Sequence, residues 1–323
     1  MEGLPGVQHL FVFNMKKFII TFPGQGSQSI GMMKGLSETT VIKDTFAEAS
    51  DLLGVDFLNM VTSENNQINK TINTQPLMLT VGIATWRYLL SIGVGLPSYG
   101  AGHSLGEFTA LVAAEALTFE DGLKLVLKRA ELMQDAVPEN EGAMAAILGL
   151  DDELVIDICK KHSMNQILEA VNFNSPGQVV VAGNKRVIEA SLNFFKDAGA
   201  KRAIIVPVSV PSHCSLMKPA SIKFKEYLNN ILLKLPNFPV IQNYQATSYD
   251  ETEMIKDALV FQMFNPVRWT ETIKNLSKQK VSIFVESAPG KILTGLNKRI
   301  NKEVSHASVD SVESANQFLL QLK

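Results

Sequence analysis

The stretch Gly102-His103-Ser104-Leu105-Gly106-Glu107 restricts what this chain can fold into more than any other. A serine with glycine two residues away on either side, at the G-x-S-x-G spacing, suits a strand that reverses sharply into a helix and leaves the hydroxyl exposed at the tip. Side chains at those glycine positions would clash. Downstream, Leu105, Phe108, Leu111, Val112 and Glu115 recur at three- and four-residue spacing, which predicts a helix starting at the serine. Upstream, residues 97–101 read only weakly as a strand. Unpaired N–H groups and the positive end of the helix dipole would face any negative charge growing on a substrate oxygen. The same spacing also occurs in plain turns, so a nucleophile and a structural turn are both open on this motif alone.

The rest of the chain supplies the setting. Residues 17–22 read as a short strand stopped by Pro23-Gly24-Gln25-Gly26-Ser27-Gln28, where two glycines let a ligand approach the backbone closely. A phosphate-cradling loop is not indicated, because neither G-x-x-x-x-G-K-[ST] nor a complete G-x-G-x-x-G is present. Helices are predicted over 41–53, from 74 to just before Gly93, and from the capping-box-like Thr118-Phe119-Glu120-Asp121 to about 136. Residues 143–148, 168–172, 178–182 and 202–208 are strand-like, and 152–161 and 185–197 helical. That βαββαβ order is the ferredoxin-like split unit, with Asn174-Ser175-Pro176-Gly177 as its hairpin turn. A small inserted domain is therefore expected over 138–209, and a large domain over 15–137 and 210–323. In the large domain the predicted elements continue as a helix over 219–233, a strand near 240–247, helices over 251–264 and 269–278, a strand over 281–286 and a helix ending at 300. Strands alternating with helices argue for a mostly parallel sheet covered on both faces. Residues 1–14 read as a leader, alternative start or disordered extension and are left out of the fold.

Net charge −2 provides no global basic field for nucleic acid, so attraction for a charged partner must be local. Cys159 and Cys214 are the only cysteines, with no ligand-spaced histidines, so neither a disulfide framework nor a metal site is expected. No apolar run approaches the ~18 residues of a membrane span. A soluble, cytoplasmic protein acting on neither membrane nor nucleic acid is the expectation.

Two further residues stand out. Within 119–136, Lys124, Lys128, Glu131 and Asp135 share one face, whereas Arg129 falls among Leu123, Val126, Leu127, Ala130 and Met133. A guanidinium there must find an anion, reach solvent or form an internal salt bridge, because an unpaired buried charge costs several kcal/mol. A serine nucleophile needs a base within hydrogen-bond reach. Of five histidines, His9 lies in the leader, His162 near a helix end, His306 near the C-terminus, and His103 abuts the serine with its side chain directed away. His213, in Pro211-Ser212-His213-Cys214, follows a strand at the junction of the expected domains and is the preferred base; a structural capping role is the alternative.

Phe22-Pro23-Gly24-Gln25-Gly26-Ser27-Gln28, the serine hexapeptide, Pro211-Ser212-His213-Cys214 and Asn265-Pro266-Val267, in that order, resemble the malonyl-CoA:acyl carrier protein transacylases of bacterial type II fatty acid synthesis. The resemblance covers residues 16–323. It implies an α/β-hydrolase-like large domain with an inserted ferredoxin-like small domain, Ser104 as acyl-carrying nucleophile, and His213 as its base. It further implies oxyanion-hole N–H groups from Gln25 and Leu105, a malonyl carboxylate on Arg129, and a backbone carbonyl of Gln262 orienting the histidine. Asn174 would line the cleft, and small Ser212 and Met133 are expected beside it. Arg268, next to Trp269, departs from members that carry glutamine there. The implied partners are malonyl-CoA and, transiently and electrostatically, acyl carrier protein, with Lys185-Arg186, Lys201-Arg202 and Lys298-Arg299 as candidate basic docking pairs. A monomer without cofactor is expected. A stand-alone acyltransferase of a polyketide synthase is the near alternative. A serine esterase or thioesterase would need an acid that no motif here supplies, and a non-catalytic scaffold would not need Ser104, His213 and Arg129 together.

Overall fold

The computed structural model describes residues 15–208 and 210–323; the expectation for residues 1–14 falls outside them, as does Ser209 at the expected edge of the small unit. Nine strands form among the described residues: β1 Phe18–Phe22, β2 Tyr99–Gly102, β3 Gly142–Leu148, β4 Leu168–Ser175, β5 Gln178–Asn184, β6 Arg202–Ile205, β7 Val240–Ile241, β8 Ile283–Glu286 and β9 Ser305–Ser308. They make two sheets. The larger has the order β7-β2-β1-β8-β9 with every pairing parallel. All five residues of β1 are buried; Phe18, Ile20 and Phe22 enter one apolar cluster and Ile19 the cluster across the sheet. A central parallel strand covered on both faces reads as a continuous apolar run, and FIITF is one. The helix Thr71–Ser91, buried along most of its length, packs in the first cluster, while Trp269, Ile273 and Leu293 from two later helices fill the second.

The smaller sheet is antiparallel, in the order β4-β5-β3-β6. The helices Asp152–His162 and Lys185–Asp197 cover one face through Val155, Ile158, Val187, Ile188 and Phe195. Its first and third strands lie at the centre, which is the ferredoxin-like arrangement. The β4–β5 hairpin turns through Gly177, whose φ of 72° needs glycine. Along β4 the two units are joined by backbone: the Phe173 N–H donates to Val267 O at 3.0 Å, and the Val267 N–H to Val171 O at 2.8 Å. The Thr270 hydroxyl donates to Phe173 O at 3.0 Å.

Several elements differ from the sequence reading. The strand expected near 240–247 keeps only Val240–Ile241, after which Gln242 and Thr247 close an antiparallel bridge around a turn. The helix expected over 219–233 is Lys218–Leu228, and the one expected to start at 74 begins at Thr71, with Pro76 inside it. Beyond residue 300, where no element is predicted, β9 extends the parallel sheet and a helix Val312–Leu322 starts on a Ser311 capping box. The short helix Phe57–Thr62 is also unpredicted. Among the described residues, no helix is long and apolar enough to cross a membrane.

Candidate active site

The turn between β2 and the helix Gly106–Ala113 is built by its glycines. A Cβ on Gly102 would lie 1.8 Å from the Gly106 carbonyl, and one on Gly106 would lie 2.0 Å from Phe22 O. Ser104 at the apex has φ 52°, a left-handed conformation that costs a non-glycine residue ~1–3 kcal/mol. Two side chains hold it there. Its N–H donates to Asn243 Oδ1 at 2.6 Å, and its carbonyl accepts from Gln262 Nε2 at 2.8 Å.

Ser104 Oγ lies 2.7 Å from His213 Nε2, and His213 Nδ1 lies 2.7 Å from the Gln262 carbonyl oxygen. A carbonyl only accepts, so the imidazole proton belongs on Nδ1 and Nε2 is left to accept from the serine hydroxyl. His213 is also left-handed, at φ 67°, and its backbone N–H donates to Met263 O at 3.1 Å. Burial, and then the Arg129 charge, pull its imidazole down to about 3, so it is neutral at physiological pH.

Arg129 is buried, as its place on the helix face implied. Neither alternative for it is realised: at 1% exposure it does not reach solvent, and no ion pair among the described residues includes it. Its partners are neutral. Nη1 donates to Gln75 Oε1 at 2.8 Å, and Nη2 to Gln262 Oε1 at 2.8 Å and Ser104 Oγ at 3.1 Å. Nε has no partner. Burial lowers the guanidinium to about 10, opposed by the charge of Glu107, which leaves it a cation at neutral pH. Behind it, Glu107 Oε2 accepts from the Asn243 backbone N–H at 2.8 Å and from Gln262 Nε2 at 3.1 Å.

These groups open onto a cavity of about 350 Å³ whose wall includes Gln25, Ser104, Leu105, Arg129, Asn174, Ser212 and His213. Asn174, on β4, accepts from His103 Nε2 at 2.7 Å and so turns that histidine away from the serine, toward Trp269. Gln25 is fixed by a bond from its Nε2 to Thr71 Oγ1 at 3.1 Å. Met133 is not on the wall: one helical turn beyond Arg129 it points into the apolar core, its sulfur 3.8 Å from Gln75 Nε2. His162 stacks on Phe194, and His306 bonds to the Asn301 carbonyl, and neither lines the cavity. His9 is outside the described residues. A larger cavity of about 600 Å³, lined by Trp86, Leu90, Leu117 and Phe119, contains no serine, histidine or cysteine. No cluster able to hold a metal ion occurs among the described residues.

Gln75, Asn243 and Glu107 are site residues that the sequence reading passed over. Gln75 read as a helix-start residue beside Pro76. Glu107 carried a usable signal, the one charge in a helix of otherwise uncharged residues; it is fully buried.

An acyl transferase domain family matches residues 18–316. The malonyl CoA-acyl carrier protein transacylase of Haemophilus influenzae is 46% identical over 305 residues, covering 94% of this chain and 98% of its own. That of Bacillus subtilis is 40% identical over 312 residues, covering 96% and 98%. The solved structure of the Coxiella burnetii malonyl CoA-acyl carrier protein transacylase superposes with a TM-score of 0.94 at 38% identity, over 96% of this chain and 98% of that one. A malonyl-transacylase solved in complex with its type II polyketide synthase acyl-carrier protein superposes with a TM-score of 0.91 at 46% identity, over 95% and 99%.

Proposed function

The chain belongs to the malonyl CoA-acyl carrier protein transacylases of the acyl transferase family, and on that premise we propose that it transfers malonyl groups from coenzyme A to acyl carrier protein through an ester on Ser104. The enzyme is an acyltransferase of fatty acid synthesis. Ser104 Oγ attacks the malonyl thioester carbonyl while His213 Nε2 takes the hydroxyl proton. The tetrahedral oxyanion lies against the Leu105 N–H at the start of the serine helix and the Gln25 N–H in the loop after β1, where loss of such donors typically costs ~3–4 kcal/mol. Collapse expels the coenzyme A thiolate, which leaves as the thiol with the proton from His213. The carrier's phosphopantetheine thiol then attacks the ester by the reverse route, giving ping-pong kinetics. Each proton and acyl shift is assigned to these side chains, so the reading includes no cofactor; a cytoplasmic monomer acting on soluble partners is proposed with it.

One observation carries this reading: a buried cation without an ion pair stands 3.1 Å from a serine that is itself 2.7 Å from a neutral histidine. A planar guanidinium matches a carboxylate with two parallel charge-assisted bonds, whereas an acetyl group would leave the cation unpaired. An esterase triad is disfavoured because the histidine is oriented by a carbonyl and not by a carboxylate. Of the three basic pairs, Lys298-Arg299 fits carrier docking best. Both side chains are exposed at the end of a helix whose Leu293 and Leu296 line the cavity, and Arg299 donates to Gln178 on the same wall at 2.8 Å.

The polyketide reading keeps the same chemistry with a different carrier and is favoured by the likeness to the complex described above. Incubation with radiolabelled malonyl-CoA, with and without each carrier protein, tests both. Label should reside on the protein alone without carrier and pass to the cognate carrier when it is added. A Ser104→Ala protein that still gains malonyl mass would end the mechanism.

A further inference from the structure

The transfer written above makes no use of Glu107, although its fully buried carboxyl touches the two residues that hold the nucleophile. Asn243 Oδ1 takes the Ser104 N–H, and Asn243 Nδ2 donates to Gly102 O at 2.6 Å. Gln262 Nε2 takes the Ser104 carbonyl, and Gln262 Oε1 takes Arg129. Each grips the strained residue on one side. Both are oriented by the same atom, Glu107 Oε2, which accepts from the Asn243 backbone and from Gln262 Nε2. That second bond also fixes which end of the Gln262 amide faces the serine and which faces Arg129: a flipped amide would set its oxygen against the carboxyl and its N–H groups against the guanidinium.

We propose that Glu107 is a positioning residue: its Oε2 holds Asn243 and Gln262 so that these two clamp the left-handed Ser104 peptide and keep Oγ aligned between His213 and Arg129. The inference rests on Ser104 being the nucleophile. What Glu107 contributes is an acceptor at one point, and its other oxygen, Oε1, has no partner. A glutamine can therefore place its amide oxygen where Oε2 lies and its NH₂ where Oε1 lies, keeping both bonds. An alanine keeps neither.

The test is the single-turnover rate of Ser104 malonylation, followed by intact-protein mass, for Glu107→Ala and Glu107→Gln. Misplacement of a reacting group by about 1 Å costs on the order of 10²-fold, so a slipped clamp should slow acylation by about 10- to 100-fold in E107A. E107Q should recover most of that loss. Affinity for malonyl-CoA, measured in a Ser104→Ala background so that no ester forms, should change by less than about threefold, because the bond from Arg129 Nη1 to Gln75 does not depend on Glu107. A packing defect would instead weaken binding and rate together, with no recovery by glutamine. E107A acylating within about twofold of the unaltered enzyme, or E107Q as slow as E107A, would overturn the proposal. Should E107A fail to fold, Asn243→Ala cuts the same clamp at its other end; it should show the same loss of rate, and an unchanged rate would be equally fatal. Peptide mapping of the unaltered enzyme separates the two levels: label on a residue other than Ser104 sinks the nucleophile reading, whereas label on Ser104 with an indifferent Glu107 sinks only the clamp.

Discussion

Replacing Arg129 by alanine separates recognition of the acyl group from support of the fold. The guanidinium is 1% exposed, and its hydrogen-bond acceptors are the neutral oxygens of Gln75, Gln262 and Ser104. Neutral acceptors offset only part of the several kcal/mol that desolvation of a cation costs, and a carboxylate docked on the fork offsets the rest. Removing one partner of such a buried pair costs ~3–5 kcal/mol. At ~1.4 kcal/mol per tenfold, kcat/KM for malonyl-CoA should fall roughly 150- to 4,000-fold. Acetyl-CoA has no charge to pair, so its kcat/KM should fall little or rise, compressing the preference by the same factor. The fold should respond weakly. Alanine leaves the Gln75 and Gln262 oxygens without this donor, at about 1–3 kcal/mol each, but it also relieves a desolvation cost of similar size. Arg129→Lys should recover only part of the malonyl rate, since an ammonium lacks the fork. Both donors measured on one preparation, with its melting temperature, decide the matter. An equal fall for malonyl-CoA and acetyl-CoA accompanied by a large loss of thermal stability would refute the reasoning and make Arg129 a packing residue.

Further outcomes are expected at the base and at the docking surface. Since the His213 imidazole sits at about 3, against an ordinary 6.5, it stays neutral as pH falls, and acylation should show no inflection between about pH 7 and about 5. Deleting Arg129 removes one of the influences that lower it and should move the acid limb to higher pH, while His213→Ala should slow acylation by ~10²–10⁴-fold; an inflection near 6.5 in the unaltered enzyme contradicts the assignment. Reversing the charge of Lys298 and Arg299 should raise KM for the carrier protein and leave that for malonyl-CoA alone, with the effect shrinking at high salt. Unchanged carrier kinetics would move the docking surface elsewhere.

What could be read from the sequence is what breaks a local rule or follows a local period. FIITF, the βαββαβ pattern and the serine elbow are of this kind, and Arg129 stood out because it interrupts an apolar helix face. The remainder is set by neighbours distant in sequence. β9 is Ser-His-Ala-Ser, an edge strand paired only with β8, with no apolar run to announce it. β7 is two residues long and exists because β2 lies beside it. Gln75 and Asn243 are ordinary amides until Arg129 and Ser104, 54 and 139 residues away in the chain, are brought against them. Hydrophobic periodicity records what is buried, and it has no term for which buried amide faces which charge.

The same contacts tie the choice of acyl group to the strength of the base. Arg129 is one of the two leading causes that hold His213 low, so the resting site contains a poor base beside an unneutralised cation. On the proposed reading, a malonyl carboxylate docking on Arg129 cancels that influence, and His213 gains proton affinity at the moment the serine must lose its proton. An acetyl group brings no charge, leaves the guanidinium free, and meets the weaker base. Discrimination would then arise twice from one side chain, once in binding and once in the chemical step. It would appear in kcat as well as KM, because the cation reaches the nucleophile through the 3.1 Å contact with Ser104 Oγ and the base through its charge.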